Sequence, residues 1–193
     1  MPDINALIER WQAGDERAAE AIYNHCRDRT FRLAYGLLGN PSDAEEAAQH
    51  ALAYALTHIK RFDPARASFN TWLHTITVSR CRDRQRRKRL PIWTVFDWQR
   101  GEDDPVDPAL TRERHASQEE VRSQVWHAIQ ALSLPLREAI VLRYWAGHTY
   151  REMADILGCP VPTAQSRVRL AYERLRSGLA AVDLTALEEE QAR

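Results

Sequence analysis

Apolar residues recur along the chain at intervals of three and four, and no run alternates apolar and polar positions beside a hairpin turn. The pattern predicts an all-α fold. A first helix covers about Ile4 to Trp11 and stops at Gly14. A second runs from about Asp15 to Leu38 with Ala18, Ile22, Cys26, Leu33 and Leu37 turned inward, and ends at the turn residues Gly39, Asn40 and Pro41. Ser42 and Glu45 have the spacing of a capping box, so a third helix is expected to open there. Its Ala44, Ala48, Ala51, Leu52, Ala55 and Ile59 form a narrow stripe of mostly small side chains, which lets neighbouring helices approach closely. Asp43, Glu46 and His50 are expected on the opposite face.

After a turn from Phe62 to Arg66, a fourth helix opens at Ser68 with Phe69, Trp72, Leu73 and Ile76 spaced to face a core. From Arg80 to Arg89 its basic residues occupy every side, which suits a helix overhanging solvent or a polyanion. Pro91 is expected to end it. Residues 91–114 hold three prolines and an acidic cluster but no lasting period, and read as a linker. Trp93, Phe96 and Trp98 within it are candidates for docking on a surface. Beyond the linker, Val121, Val125, Ile129 and Leu132 predict a fifth helix, and Leu136, Ile140 and Tyr144 a sixth. A short seventh spans Tyr150 to Leu157, and an eighth runs from Pro162 to about Leu179 before an acidic tail over 181–193. The expected architecture is thus two small helical domains, 1–90 and 115–180, joined by a flexible linker.

Net charge changes this picture only when it is resolved along the chain. The total is zero, yet Lys60 to Arg89 carries ten Lys or Arg against two Asp, and Asp97 to Glu120 eight acidic residues against three Arg. No run of about 18 apolar residues could span a bilayer, and the start of the chain lacks the basic-then-apolar form of a signal peptide, so no membrane insertion and a cytoplasmic location are expected. Cys26, Cys81 and Cys159 lie far apart in sequence and read as reduced, mostly buried thiols rather than a disulfide framework or a metal site. None of HExxH, GxSxG, a P-loop or GxGxxG occurs, and the seven His are scattered, so no catalytic residue, metal or cofactor is expected.

The clearest constellation is a short helix, a tight turn containing Gly158 and a longer Arg-rich helix, the form of a helix-turn-helix. On the eighth helix Ala164, Val168, Ala171, Leu175 and Leu179 make a buried stripe. Thr163, Ser166, Arg169, Leu170 and Glu173 then face outward with Arg167 and Arg174 on the flank, a mixture fit for phosphates and base edges. An ordinary helical hairpin with a solvated face fits the pattern equally well. The basic end of the fourth helix, with Trp72 and the polar loop from Ala65 to Thr71, pairs phosphate-binding charge with an aromatic on which an unstacked base could rest. By spacing alone Trp72 fits the core better than a base-stacking role.

Together these segments resemble a family. The order Leu7, Ile8, Gly14, Asp15, Ala18; then Asp43 to Glu46 with Gln49; then Phe62, Asp63, Pro64, Ser68, Phe69, Thr71, Trp72, Leu73; and finally Gly158, Thr163, Ser166, Arg167, Ala171 is similar to that of the extracytoplasmic-function (group IV) sigma factors of the sigma-70 family. The resemblance spans about Ile4 to Leu179. It implies that the first domain binds the clamp helices of the polymerase β′ subunit and melts the minus-10 promoter element, and that the second, contacting the β flap, reads the minus-35 element. By position, Asp43, Glu45, Glu46, Gln49 and His50 would contact polymerase. Ala65, Arg66, Ser68, Asn70, Thr71, Trp72, Ser79, Arg80, Arg84 and Arg87 would serve the minus-10 element, on duplex and melted single strand. Thr163, Ser166, Arg167, Arg169, Leu170 and Arg174 would serve the minus-35 element.

Three positions depart from the family pattern: His50 where an acidic residue is usual, Ser79 where Asn is usual, and Pro162 in place of Gly. A hydroxyl cannot make the two-pronged contact of an amide, which bears on minus-10 preference, whereas proline suits the first turn of a helix. The resemblance also implies an anti-sigma partner clamping both domains, and association with the nucleoid when the factor is active. A stand-alone helix-turn-helix regulator, binding DNA without polymerase, is the rival reading.

Overall fold

The computed structural model describes residues 3–89 and 114–179, all its regular elements being helical. Short polar side chains begin most helices by accepting from the free amides of the first turn. Asp3 caps α1 (Ile4–Gln12), Asp15 caps α2 (Glu16–Leu38), and Asn40 caps α3 (Pro41–Thr57) by accepting from the Asp43 amide at 2.9 Å. The expected Ser42 box is therefore corrected: Pro41 already lies in the first turn, where its preset φ fits and its missing N–H costs nothing. Gly39 closes α2 at φ 72°, a left-handed conformation that favours glycine. A 3₁₀ turn, Ile59–Arg61, leads to the loop before α4 (Phe69–Arg89).

The second unit comprises α5 (Arg114–Ala131), α6 (Leu134–Ile140), α7 (Tyr150–Leu157) and α8 (Val161–Gly178). Between α6 and α7 the chain makes a π turn over Val141–Trp145. The wider turn breaks the expected Leu136, Ile140, Tyr144 stripe: Leu136 and Ile140 are buried, but Tyr144 is swung out to 66% exposure. Thr149 and Glu152 form a reciprocal capping box at the start of α7, and Gly158 ends it at φ 64°. Pro162 sits in the first turn of an intact α8, as proline can. Residues 91–113, with Trp93, Phe96 and Trp98, and the acidic tail 181–193 lie outside the described residues.

Burial follows the predicted stripes and then goes beyond them. Leu7, Ile8, Ile22, Cys26, Leu52, Phe62, Phe69 and Leu73 form a core belonging to the first unit alone. Leu132, Leu136, Ile140 and Ala171 form a smaller one in the second. The largest cluster joins the units: Leu33, Ala34, Leu37, Val78 and Cys81 pack in one core with Val141, Leu142, Met153, Ile156 and Leu157. The sequence pattern gave no sign of this docking. The alanines of α3 let α2 and α4 close around it, and the C-terminal carbonyls of α2 are taken by the second unit. Gln130 Nε2 donates to Gly36 O at 3.0 Å and Arg137 Nη1 to Leu37 O at 2.9 Å. A cation at a helix C-terminus also meets the negative end of its dipole.

Candidate nucleic-acid and polymerase surfaces

α3 and the second half of α4 fix the first candidate surface. Glu45, Gln49 and His50 are exposed on α3, with Gln49 Nε2 donating to Glu45 Oε1 at 3.3 Å. Glu46 is half-buried and pairs with Arg84 at 2.8 Å. Asp43 corrects the expectation of an outward face: it is 6% exposed, accepts from Arg84 Nε at 2.9 Å and is paired with Lys88. Burial pushes its carboxyl up, but the bonds from Lys88 and Arg84 outweigh that and hold it below the usual range. Of the five candidate polymerase contacts, Glu45, Gln49 and His50 are exposed, whereas Asp43 anchors α4 to α3.

The loop before α4 is organised by its own polar side chains. Asp63 Oδ1 accepts from the Ala65 amide at 2.9 Å, and Ser68 Oγ from the Thr71 amide at 3.1 Å. Ala65, Arg66 and Ser68 are exposed, Asn70 is half-buried and Thr71 is 2% exposed. Trp72 is half-buried, its ring 5.6 Å from Phe62 and 5.7 Å from Phe69, so one side is core and the other opens on a groove. That groove, about 460 Å³, is lined by Arg66, Thr71, Trp72, Thr75 and, from α7, Asp155.

The basic half of α4 is less free than its charge suggests. Cys81 is fully buried, and Arg82 makes a bidentate pair with Glu138 of α6, both bonds 2.7 Å, with Glu138 only 2% exposed. Cys81 is buried as expected, and the expectation of an unengaged, overhanging helix is corrected for Arg82, Arg84 and Lys88. Ser79, Arg86 and Arg87 remain exposed. Arg80 lies over the Tyr54 ring at 4.9 Å, beside a groove of about 370 Å³ bordered by His50, His58, Arg84 and Arg87.

α7, the Gly158 turn and α8 set out the third surface. Arg169, Leu170, Glu173 and Arg174 are exposed, whereas Thr163, Ser166 and Arg167 are half-buried. Ser166 Oγ donates to Thr163 O at 3.0 Å, and Arg167 leans toward Cys159 Sγ at 4.0 Å. Ala164, Val168 and Ala171 are buried as predicted. Tyr172, 58% exposed one turn beyond Arg169, joins this face and was not foreseen. An aromatic amid charged residues, off the buried stripe, was its available signal.

Sequence reasoning missed the residues joining the units. His74 and His148, each 3% exposed, share a 2.7 Å hydrogen bond between His74 Nδ1 and His148 Nε2. His148 Nδ1 faces Glu152 at 3.7 Å, so its proton belongs there, leaving Nε2 to accept from His74. His74 Nε2 is then buried without a hydrogen-bond partner. Burial, with the neighbouring His148 and Arg29, pushes His74 down to about 3. Burial also lowers His148, although Glu152 opposes it. No cluster of metal-ligating side chains exists among the described residues, and no helix among them is long and apolar enough to cross a membrane.

Two family models match the chain: Sigma-70 region 2 over residues 22–90 and Sigma-70, region 4 over residues 122–175. The chain is 33% identical over 164 residues to an ECF RNA polymerase sigma factor RpoE of Cereibacter sphaeroides, covering 84% of this chain and 86% of that one. It is 28% identical over 177 residues to the ECF RNA polymerase sigma factor SigK of Mycobacterium tuberculosis, covering 92% and 94%. The fold is similar to that of CnrH bound to the cytosolic domain of CnrY, with a TM-score of 0.67 at 22% identity over 94% of this chain and 100% of that one. It is also similar to a Bartonella quintana sigma factor RpoE in complex with the anti-sigma factor NepR, with a TM-score of 0.60 at 23% identity over 83% and 96%.

Proposed function

The chain belongs to the sigma-70 family as an extracytoplasmic-function sigma factor, and from that premise we propose how its surfaces divide the work of transcription initiation. Residues 1–90 form the unit that binds core polymerase and opens the minus-10 element, 91–114 the linker, and 115–180 the unit that reads the minus-35 element. Glu45, Gln49 and His50, with Glu46 beside them, meet the β′ clamp helices, and Asp43 acts by holding Arg84 and Lys88 in place. The single observation that carries this division is one chain with two matched segments, each bearing its own exposed polar surface.

At the minus-10 element, Arg80 and Arg87 contact phosphates, whose neutralisation makes affinity salt-dependent. Unpairing bases costs several kcal/mol, so melting needs a pocket for a flipped base, and the groove between Arg66 and Trp72 offers an aromatic edge and a hydroxyl in Thr75. At the minus-35 element α8 enters the major groove. Arg169 and Arg174 anchor to the backbone, and Leu170 with Tyr172 contacts base edges and methyl groups. The protein acts by binding and carries no reaction of its own. Its relatives' complexes support control by an anti-sigma partner, with the chain working in the cytoplasm at the nucleoid.

Runoff transcription with bacterial core polymerase on a promoter from the same genome tests this reading. Promoter-specific transcript is expected only with the protein, and it should fade when Glu45, Glu46 and Gln49 are changed to alanine. Unchanged transcription by that variant would remove α3 from the polymerase surface. A shifted promoter without any transcript would favour a stand-alone regulator.

A further inference from the structure

A cavity of about 240 Å³ lies within the first unit, bounded by α1, α2, the loop before α4 and the start of α4. Its wall is apolar where Phe62, Phe69 and Leu73 line it, each 6% exposed or less, with Cys26 beside them. An apolar cavity of roughly 150 Å³ takes up benzene, so this one has room for a two-ring body. The rim is polar, carrying Asn5, His25, Arg29 and Asn70, all exposed or half-buried. None of these four side chains has a hydrogen bond or an ion pair among the described residues, and no carboxylate lines the cavity. Arg29 and Asn70 also border a second cavity, about 290 Å³, to which Arg32 contributes and no carboxylate does. Burial pushes the Cys26 thiol up to about 11 while Arg29 pulls against it, so the field of this guanidinium reaches the apolar wall.

An unpaired cation at the rim of an apolar chamber complements a molecule of the reverse build. We propose that the chamber binds a small apolar carboxylic acid, its body against Phe62, Phe69 and Leu73 and its carboxylate on Arg29 and Asn70. A flipped nucleobase suits the chamber less. Its polar edge would meet Phe62, Phe69 and Leu73, which offer no partner, and Thr30 Oγ1 already donates to Cys26 O at 2.9 Å. The site is tied to the strand-opening surface, an assignment on which this part of the inference rests. Phe62 and Ala67 border both the chamber and the groove of Arg66 and Trp72, and Asn70 is a candidate contact of the melted strand. A carboxylate held by Asn70 competes with that strand, and by reciprocity the strand weakens the binding of the carboxylate by the same factor.

The probe is 2-naphthoate, with uncharged 2-naphthylmethanol for comparison, each titrated into the full-length chain by calorimetry. Arg29→Gln removes the charge at an exposed position, and Ala67→Phe brings a ring of the chain's own to the chamber from the loop. Cys26 serves as the marker of occupancy, through its rate of labelling by a thiol reagent read by peptide mass. Half-buried Cys159, which does not line the chamber, is the control. In the same buffer a fluorescent promoter DNA bubble, single-stranded across the minus-10 element, is titrated onto the holoenzyme with and without saturating 2-naphthoate.

Naphthoate should bind the wild-type chain about tenfold more tightly than naphthylmethanol, and Arg29→Gln should erase that difference. At about ten times its Kd it should slow Cys26 labelling about tenfold and leave Cys159 unchanged, and Ala67→Phe should abolish both binding and protection. The holoenzyme's affinity for the bubble should fall about tenfold. Equal affinity for the charged and uncharged probes, slowing of Cys159 along with Cys26, or binding retained in Ala67→Phe would overturn the site. Protection of Cys26 by the bubble and not by naphthoate would give the chamber to a base instead. Naphthoate binding with no change in bubble affinity would overturn the coupling. A failure of the strand-opening assignment shows separately, as bubble binding that Arg66→Ala leaves unchanged. None of these results touches the sigma-factor reading, which stands or falls on transcription by the wild-type protein with core polymerase and no probe.

Discussion

The two units differ in how much of their core each keeps to itself. The first surrounds Ile22, Cys26, Leu52, Phe69 and Leu73 with its own helices, although Leu33, Leu37, Val78 and Cys81 lie in the cluster shared with the second. The second has a private cluster of four buried residues, and Val141, Leu142 and Met153, among its most deeply buried side chains, belong to the cluster shared with α2 and α4. A small unit that borrows apolar cover has little stability in reserve, so whatever parts the two acts first on the second. The contrast predicts that the second unit loosens before the first.

The largest test compares Met153→Ala with Ile22→Ala, both of which empty sites 1% exposed or less. Each is expected to cost about 2–5 kcal/mol in urea unfolding. They should differ in place: Met153→Ala should bare Cys81 before Cys26, and Ile22→Ala should bare Cys26. The same order of thiol labelling in both variants would erase the distinction between the units.

Next in size is the pair across the contact. Glu138→Ala strands Arg82, and because Arg82 is 39% exposed the loss is discounted to about 2–3 kcal/mol. Adding Arg82→Ala should cost less than the sum of the single changes, since the partner is already gone. Full additivity in a double-mutant cycle would deny the pair any coupling.

Acid should loosen the docking. His74 and His148 are neutral in the docked state, with His74 pushed down to about 3 and His148 also lowered, whereas an exposed imidazole titrates near 6.5. The separated form therefore binds more protons as pH falls through 6.5, and docking loses stability in that direction. The neighbouring charges are Arg29, which opposes protonation of His74, Glu152, which favours protonation of His148, and Arg143, which donates to the His148 carbonyl. From pH 7.5 to 5.5 the loss should be about 1–2 kcal/mol, read as a growing radius of gyration. In His148→Gln the response should shrink, and an unchanged response would place its origin elsewhere. The smallest effect expected is that of Asn40→Ala, about 1 kcal/mol from the lost cap of α3, with the contact between units intact by scattering.

Much of this was legible because helical burial repeats every three to four residues. The inward stripe of α2, the alanine stripe of α3 and Ala164, Val168 and Ala171 of α8 follow from that period alone. So did the helix-turn-helix, whose turn needs a left-handed residue and has Gly158. The helix start at Pro41 was misplaced because Asn40 and Ser42 are both competent caps and only backbone geometry chooses. Tyr144 was misplaced because a π turn changes the period within a helix. What could not be read was pairing over distance. Nothing local says that Arg82 meets Glu138, that His74 meets His148, or that Gly36 is a landing place for Trp145, because each partner lies far away in sequence. The candidate site suffered most, since its charged residues were read as free when several are held inside the fold.

The central claim is that this sigma factor recognises its promoter as a subunit of polymerase and not alone. Its most direct measurement is a titration of one promoter duplex with the free protein and with the protein bound to core polymerase, at matched salt. The account predicts weak, strongly salt-dependent binding by the free chain and tight, specific binding by the holoenzyme. Arg169→Ala and Arg174→Ala should each reduce the holoenzyme's salt slope by about one. Equal, specific affinity of the free chain and the holoenzyme would contradict it, since polymerase would then add nothing to promoter recognition.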